Sequence, residues 1–93
     1  MIKTFANKET AAVFAHERVR RFNTDGLQTA RRKLAQLNRV ISVDELRVPP
    51  GNRLEKLSGD REGQWSIRIN QQWRVCFEWR ESNAWNVEIV DYH

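Results

Sequence analysis

Ninety-three residues, 40% of them hydrophobic and four of them tryptophan, suffice for one small domain with a working core, and residues 1–93 read as that single domain. No apolar run nears the ~20 residues of a membrane span and no signal-type apolar region follows Met1, so a membrane or secreted protein is set aside for a cytoplasmic one. The net charge of +4 is uneven: residues 1–43 hold nine Lys and Arg against three acids, and residues 44–93 hold seven against nine. A basic N-terminal half points to a polyanion such as nucleic acid, although a solvated helix surface explains the same charge equally well.

In chain order, residues 2–5 read as a brief first strand. Asn7 fits the N-cap of a helix over residues 8–22, with Glu9 in the first turn, where the helix dipole favours negative charge. Ala11, Ala12, Ala15, Val19 and Phe22 share one face of it, and Arg18, Arg20 and Arg21 gather near its C-terminal end. Thr24 or Asp25 caps the next helix, and Gly26 eases the turn between the two. That second helix has the clearest pattern: Leu27, Ala30, Leu34, Leu37 and Ile41 form a single apolar stripe, flanked by Arg31, Arg32 and Lys33. Residues 42–47 read as a short helical turn, and Pro49-Pro50-Gly51-Asn52 as a loop, since prolines exclude both helix and central strand.

Beyond Asn52 the apolar period falls from roughly 3.6 to 2. A strand is predicted over residues 53–57, followed by a polar, glycine-bounded connection over 58–63. Trp65, Ile67 and Ile69 alternate with Ser66, Arg68 and Asn70; after a turn at Gln71-Gln72, Trp73, Val75, Phe77 and Trp79 alternate with Arg74, Cys76, Glu78 and Arg80. After Glu81-Ser82-Asn83, Trp85, Val87 and Ile89 alternate with Asn86 and Glu88. Three strands joined by short turns make an antiparallel meander. The fold class is therefore α+β, two N-terminal helices packed on one face of a twisted antiparallel sheet. The apolar set faces the helices, and the other face carries a wall of Arg68, Arg74 and Arg80 with Ser66, Asn70, Asn86 and Tyr92. Lone Cys76 can form no internal disulfide and reads as a small buried filler.

Three segments, in order, carry a family resemblance: residues 59–67 (Gly59-Asp60-Arg61-Glu62-Gly63-Gln64-Trp65-Ser66-Ile67), then Trp73-Arg74-Val75-Cys76-Phe77, then the ending Asp91-Tyr92-His93. Together they closely resemble HigB toxins, the "killer protein" branch of the RelE/ParE superfamily. The resemblance runs from Ile2-Lys3-Thr4-Phe5 to the last residue and is looser in the helical half. It implies a RelE-like fold, ribosome-dependent cleavage of mRNA with inhibition of translation and growth arrest, and neutralisation by a helix-turn-helix antitoxin.

Within that frame Arg74, on the solvent-facing side of the sheet, suits the scissile phosphate, being planar, always charged and forked; the alternative is a surface ion pair with Glu78 or Glu88. The resemblance makes His93 a proton donor or acceptor, Tyr92 a base-stacking or phosphate-binding group, and Asp91 a general base or the group that orients His93. Alternation puts Asp91 and His93 on the core side, so the last strand is expected to end or twist near Val90 and bring them to the rim of the arginine wall. Many relatives carry a catalytic lysine where this chain has Ser58; Lys56, on the same strand face as Ser58, is a candidate replacement, and Arg53 and Arg61 are others. Arg53, Arg61, Arg68 and Arg80 are candidate RNA contacts. With His16 and His93 far apart and one cysteine, no metal and no other cofactor is expected. Two other classes compete: a non-catalytic inhibitor like the gyrase-binding ParE proteins, which lack the combined Arg74 and Asp91-Tyr92-His93 set, and a plain ribosome- or RNA-binding module.

Overall fold

Asn7 opens the first helix as its side chain permits. In the computed structural model, which describes residues 1–22 and 24–91, its carbonyl oxygen accepts from the Thr10 amide at 2.8 Å. This helix, α1, spans Lys8–Phe14 and stops well short of the 8–22 that apolar spacing predicts. His16 ends it in a left-handed conformation, φ +63°. The Glu17 amide donates to the Ala12 carbonyl at 2.9 Å and the His16 amide to the Val13 carbonyl at 3.1 Å, the two bonds that close a helix around such a residue. Glycine usually takes that position, so the stop left no mark in the sequence pattern. Val19 and Phe22 reach the core from an irregular segment instead, and Arg18, Arg20 and Arg21 follow the helix rather than closing it.

The second helix, α2, spans Thr24–Arg39. Gly26 lies inside it rather than in the connection, and the side chains of the expected caps Thr24 and Asp25 lie outside the described residues. Ala30, Leu34 and Leu37 are buried as the stripe requires, with Leu27 half-buried. Ile41 is a correction: the helix ends two residues before it, leaving it 75% exposed while Val40 takes the core position. A short 3-10 turn, Val43–Arg47, follows, and the Glu45 carboxylate accepts from the Ile41 and Ser42 amides at 2.9 and 2.8 Å. The proline loop contains a second such turn, Pro50–Asn52, after a cis Val48–Pro49 bond.

Four strands form one antiparallel sheet in chain order: β1 Glu55–Lys56, β2 Gln64–Arg68, β3 Trp73–Arg80 and β4 Asn83–Asp91. β1 is two residues long, not the expected five, because Arg53 is left-handed and cannot join the ladder. The opening segment contributes isolated parallel bridges along the outer edge of β4, Ile2 with Ala84 and Phe5 with Val87, not a full strand. Helices and sheet bury a common core centred on Val13, Leu34, Leu37, Ile67, Val75, Phe77, Val87 and Ile89. The Thr10 hydroxyl joins the layers by accepting from the Ile89 amide at 3.0 Å. Among the described residues no helix is long and apolar enough to cross a membrane.

A bulge changes what the sheet displays. Cys76 pairs with Glu88 but Glu78 pairs with Trp85, so β4 carries one residue more than β3 across this interval. Asn86 takes the strain at φ +53°, and the Thr4 hydroxyl accepts its amide at 2.8 Å. Beyond the bulge the alternation inverts: Ala84 enters the core with Val87 and Ile89, and Trp85 turns to the opposite face. The sequence expectation that Trp85 faces the helices is thereby overturned. The tight turn joining β3 to β4 places both Glu81 (φ +52°) and Ser82 (φ +62°) in the left-handed region, the mirror-image geometry that suits a twisted hairpin, without a glycine.

Candidate active site on the open face of the sheet

The register sets out the face away from the helices in rows. Glu55, Ser66, Cys76 and Glu88 form one row; Arg68, Arg74 and Val90 form the next. Arg74 lies diagonally across from Ser66, within reach of a long side chain. Its Nε donates to the Ser66 hydroxyl at 2.9 Å, its Nη2 donates to the Arg53 carbonyl at 2.7 Å, and the Glu55 carboxylate stands 3.7 Å from Nη2. The result corrects the expectation of a solvent-facing arginine: Arg74 is 6% exposed, packed against fully buried Ser66. Nor is its partner Glu78 or Glu88. Glu78 stands 3.5 Å from Arg80 and Glu88 3.3 Å from Arg61.

Arg68 is directly opposite Arg74 across the β2–β3 ladder, half-buried, with Nε donating to the Asn70 carbonyl at 3.1 Å. Like charges facing each other across a ladder repel, and the Glu55 carboxylate beside Arg74 offsets part of that repulsion. Arg80 does not extend the pair into a wall. It lies six residues along β3 from Arg74, about 20 Å at ~3.4 Å per residue, and stacks over the Trp85 ring at 4.5 Å. Arg61 approaches from the other side, donating to Gln64 at 3.1 Å and to Glu88 at 3.3 Å. The Arg53 side chain is exposed at the rim, while its carbonyl holds Arg74.

Lys56 is placed on the other side of the sheet. It pairs with Trp65, and its ammonium sits 5.7 Å from the centre of that indole, so the row that holds Glu55 beside Arg74 turns Lys56 away. With Glu55, Leu57, Ser58, Asp60 and Arg61 it nevertheless lines one open cleft of about 220 Å³ at the β1 edge. β4 runs through Asp91, one residue past Val90, and Asp91 pairs with Trp73 on the helix side and accepts from Gln72 Nε2 at 3.2 Å. Tyr92 and His93 lie outside the described residues.

The residue that sequence reasoning missed is Glu55. The signal was present: alternation along residues 53–57 puts 55 and 56 on opposite faces, and only the face of 55 is the one that carries Arg74. Cys76 belongs to the same row but is fully buried, and burial pushes its thiol above the ordinary range, with Glu88 adding to the effect and Arg61 and Arg74 opposing it. Among the described residues no three His, Cys, Asp or Glu side chains converge as metal ligands would. What converges is a fixed guanidinium, a second one facing it, a hydroxyl and a half-exposed carboxylate, a set suited to binding a phosphodiester and accepting a proton beside it.

A family model described as the RelE-like toxin of type II toxin–antitoxin system HigB matches residues 3–93. The chain is 43% identical to Toxin HigB-1 of Vibrio cholerae over 58 residues, which are 62% of this chain and 61% of that relative. It is 28% identical to Endoribonuclease HigB of Proteus vulgaris over 93 residues, the full length of both. Among solved structures, a chain of the YoeB–YefM complex from Staphylococcus aureus shares its fold, with a TM-score of 0.63 at 15% identity over 100% of this chain and 98% of that one.

Proposed function

Because the chain belongs to the HigB-like family of RelE-like type II toxins, we propose that it is an endoribonuclease that cuts mRNA on the ribosome, acts in the cytoplasm and is silenced by a helix-turn-helix antitoxin. The full-length relative named an endoribonuclease supports the RNA-cleaving activity. The toxin–antitoxin complexes among the fold's neighbours support the antitoxin partner. The observation that carries the mechanism is Arg74: a buried guanidinium on the sheet face away from the helices, anchored at two nitrogens and faced by Arg68.

RNA supplies its own nucleophile. The 2′-hydroxyl oxygen attacks the adjacent phosphorus, the bond to the 5′-oxygen breaks, and a 2′,3′-cyclic phosphate remains. The proton leaving the 2′-oxygen needs an acceptor, the departing 5′-oxygen needs a donor, and negative charge builds on the phosphate oxygens between. Arg74 stabilises that charge with a rigid fork, more strongly in the transition state than in the ground state. Glu55, 3.7 Å from the guanidinium, is the carboxylate placed to accept the proton. His93 serves as the donor, Tyr92 as a stacking surface for a displaced base, and Asp91 as the group that orients the chain end. Arg53, Arg61 and Arg68 contact the RNA backbone. Side chains alone complete the proton traffic, so no metal is required.

The test is cleavage of mRNA on programmed ribosomes by the purified protein, with and without its antitoxin. Ribosome-dependent cuts that vanish on adding the antitoxin are expected. Intact mRNA with arrested translation would favour a non-catalytic ribosome binder, and unimpaired translation with inhibited gyrase would favour a ParE-like inhibitor.

A further inference from the structure

Asn52 has no exposed surface, and its side chain makes contacts in every direction. Nδ2 donates to the Leu46 carbonyl and to Gln36 Oε1, each at 3.0 Å, with the Val48 carbonyl at 3.4 Å; Oδ1 accepts from the Lys33 ammonium. Gln36 Nε2 donates to the same Val48 carbonyl at 2.7 Å. These bonds fasten the proline loop to α2 at two successive turns of the helix, through Lys33 and Gln36. A leucine of similar size would take the Asn52 donor from the Leu46 carbonyl and from Gln36 Oε1, and the acceptor from the Lys33 ammonium.

The next residue is where the loop meets the site. Arg53 adopts φ +47° and ψ +55°, with its amide bonded to the Pro50 carbonyl at 3.1 Å. Left-handed backbone is uncommon for a residue with a side chain and persists only where its surroundings enforce it. Here it turns the Arg53 carbonyl onto Arg74 Nη2, while Ser66 holds Nε. Two anchors on different nitrogens fix the plane of the guanidinium, and one of them hangs from the clamped loop.

We infer that Asn52 is a positioning residue: by clamping the proline loop to α2, it holds the Arg53 carbonyl in the geometry that orients the Arg74 guanidinium toward the scissile phosphate. This rests on the reading of Arg74 as the phosphate-binding group. A preorganised donor stabilises a transition state because it need not reorganise as charge develops. Loosening the clamp therefore slows the chemical step and leaves substrate binding nearly unchanged.

Two variants test it. Asn52→Asp keeps the contact with Lys33 but removes the donors to Leu46, Val48 and Gln36. Gln36→Met cuts the clamp from the helix side at a half-buried position, and serves if the first variant does not fold. Each is studied below its own melting temperature, by single-turnover cleavage of ribosome-bound mRNA and by the NMR signal of the Arg74 Nε–Hε group, assigned by its disappearance in Arg74→Lys. The expected result is a rate at saturating ribosomes lower by roughly 10- to 100-fold, an unchanged half-saturation concentration, and faster exchange of the Arg74 Nε proton with water. A folded variant with the wild-type rate and a slowly exchanging Nε proton overturns the positioning role. Wild-type cleavage by Arg74→Ala would instead overturn the reading of Arg74, and the exchange measurement then still decides whether Asn52 holds the guanidinium.

Discussion

Replacing Arg74 by alanine removes a structural strut as well as a charge. The side chain is 6% exposed, and both the Ser66 hydroxyl and the Arg53 carbonyl lose a charged donor. A hydrogen bond to a charged group contributes about 1.5–3 kcal/mol, but the exposed backbone at Arg53 regains water, so the net loss is about 2 kcal/mol. For a domain of this size that lowers the melting temperature by roughly 8–16 °C, well short of unfolding at 25 °C where a domain holds about 5–15 kcal/mol. Chemistry loses more. Removing a preorganised donor to a developing oxyanion costs about 2.7–4 kcal/mol, a fall on the order of 100- to 1,000-fold in rate. Arg74→Lys recovers only part of this, since an ammonium cannot reach Ser66 and Arg53 together with a fork. Single-turnover cleavage of ribosome-bound mRNA at 25 °C, run beside thermal melts, separates the two effects. A wild-type rate in Arg74→Ala removes the residue from the mechanism, and a rate loss that only tracks the unfolded fraction makes it structural.

Glu55→Gln should change stability by less than about 1 kcal/mol, because its ion pair is half-exposed, yet slow cleavage by on the order of 100- to 10,000-fold through loss of the proton acceptor; an unchanged rate would exclude that role. Asn86→Val should cost about 1–3 kcal/mol in urea unfolding, since a branched side chain resists φ +53°, whereas Asn86→Gly should unfold near wild type; equal stabilities would contradict the bulge. Cys76 is held neutral in the fold, so stability from this group is full below the thiol's ordinary value of about 8.5 and is lost as pH rises through the raised folded value. Iodoacetamide at pH about 8 should accordingly label the native protein far more slowly than the denatured chain; similar rates would show an accessible thiol.

The sheet was legible where the alternation of two was unbroken. Ile67, Val75 and Phe77 are buried as their spacing predicts, and the stripe of Leu34 and Leu37 marks the helix that covers them. The reading failed where backbone geometry departs from what residue types advertise. His16, Arg53, Glu81, Ser82 and Asn86 all adopt left-handed backbone without being glycine. Glu81 and Ser82 sit in a turn the sequence does predict, but the other three break a period: His16 truncates α1, Arg53 shortens β1, and Asn86 turns Trp85 over. The site was half legible for the same reason. Arg74 stands out as a cation on the face opposite the tryptophans, but its burial depends on Arg53 folding a carbonyl over it, a contact 21 residues distant in sequence. Glu55 and Lys56 differ by one position, and a register set by Ser66 and Trp65 decides which of them meets Arg74.

Attack by the RNA's own 2′-hydroxyl on a phosphate held by Arg74 leaves its signature in the new RNA ends. The most direct measurement is the chemistry of the new RNA ends after cleavage on programmed ribosomes, by mass spectrometry, with the purified toxin exchanged into metal-free buffer beforehand. A 2′,3′-cyclic phosphate or its 3′-phosphate product, paired with a 5′-hydroxyl, is the predicted result. A 3′-hydroxyl paired with a 5′-phosphate would mean that water attacked instead, and would contradict the account.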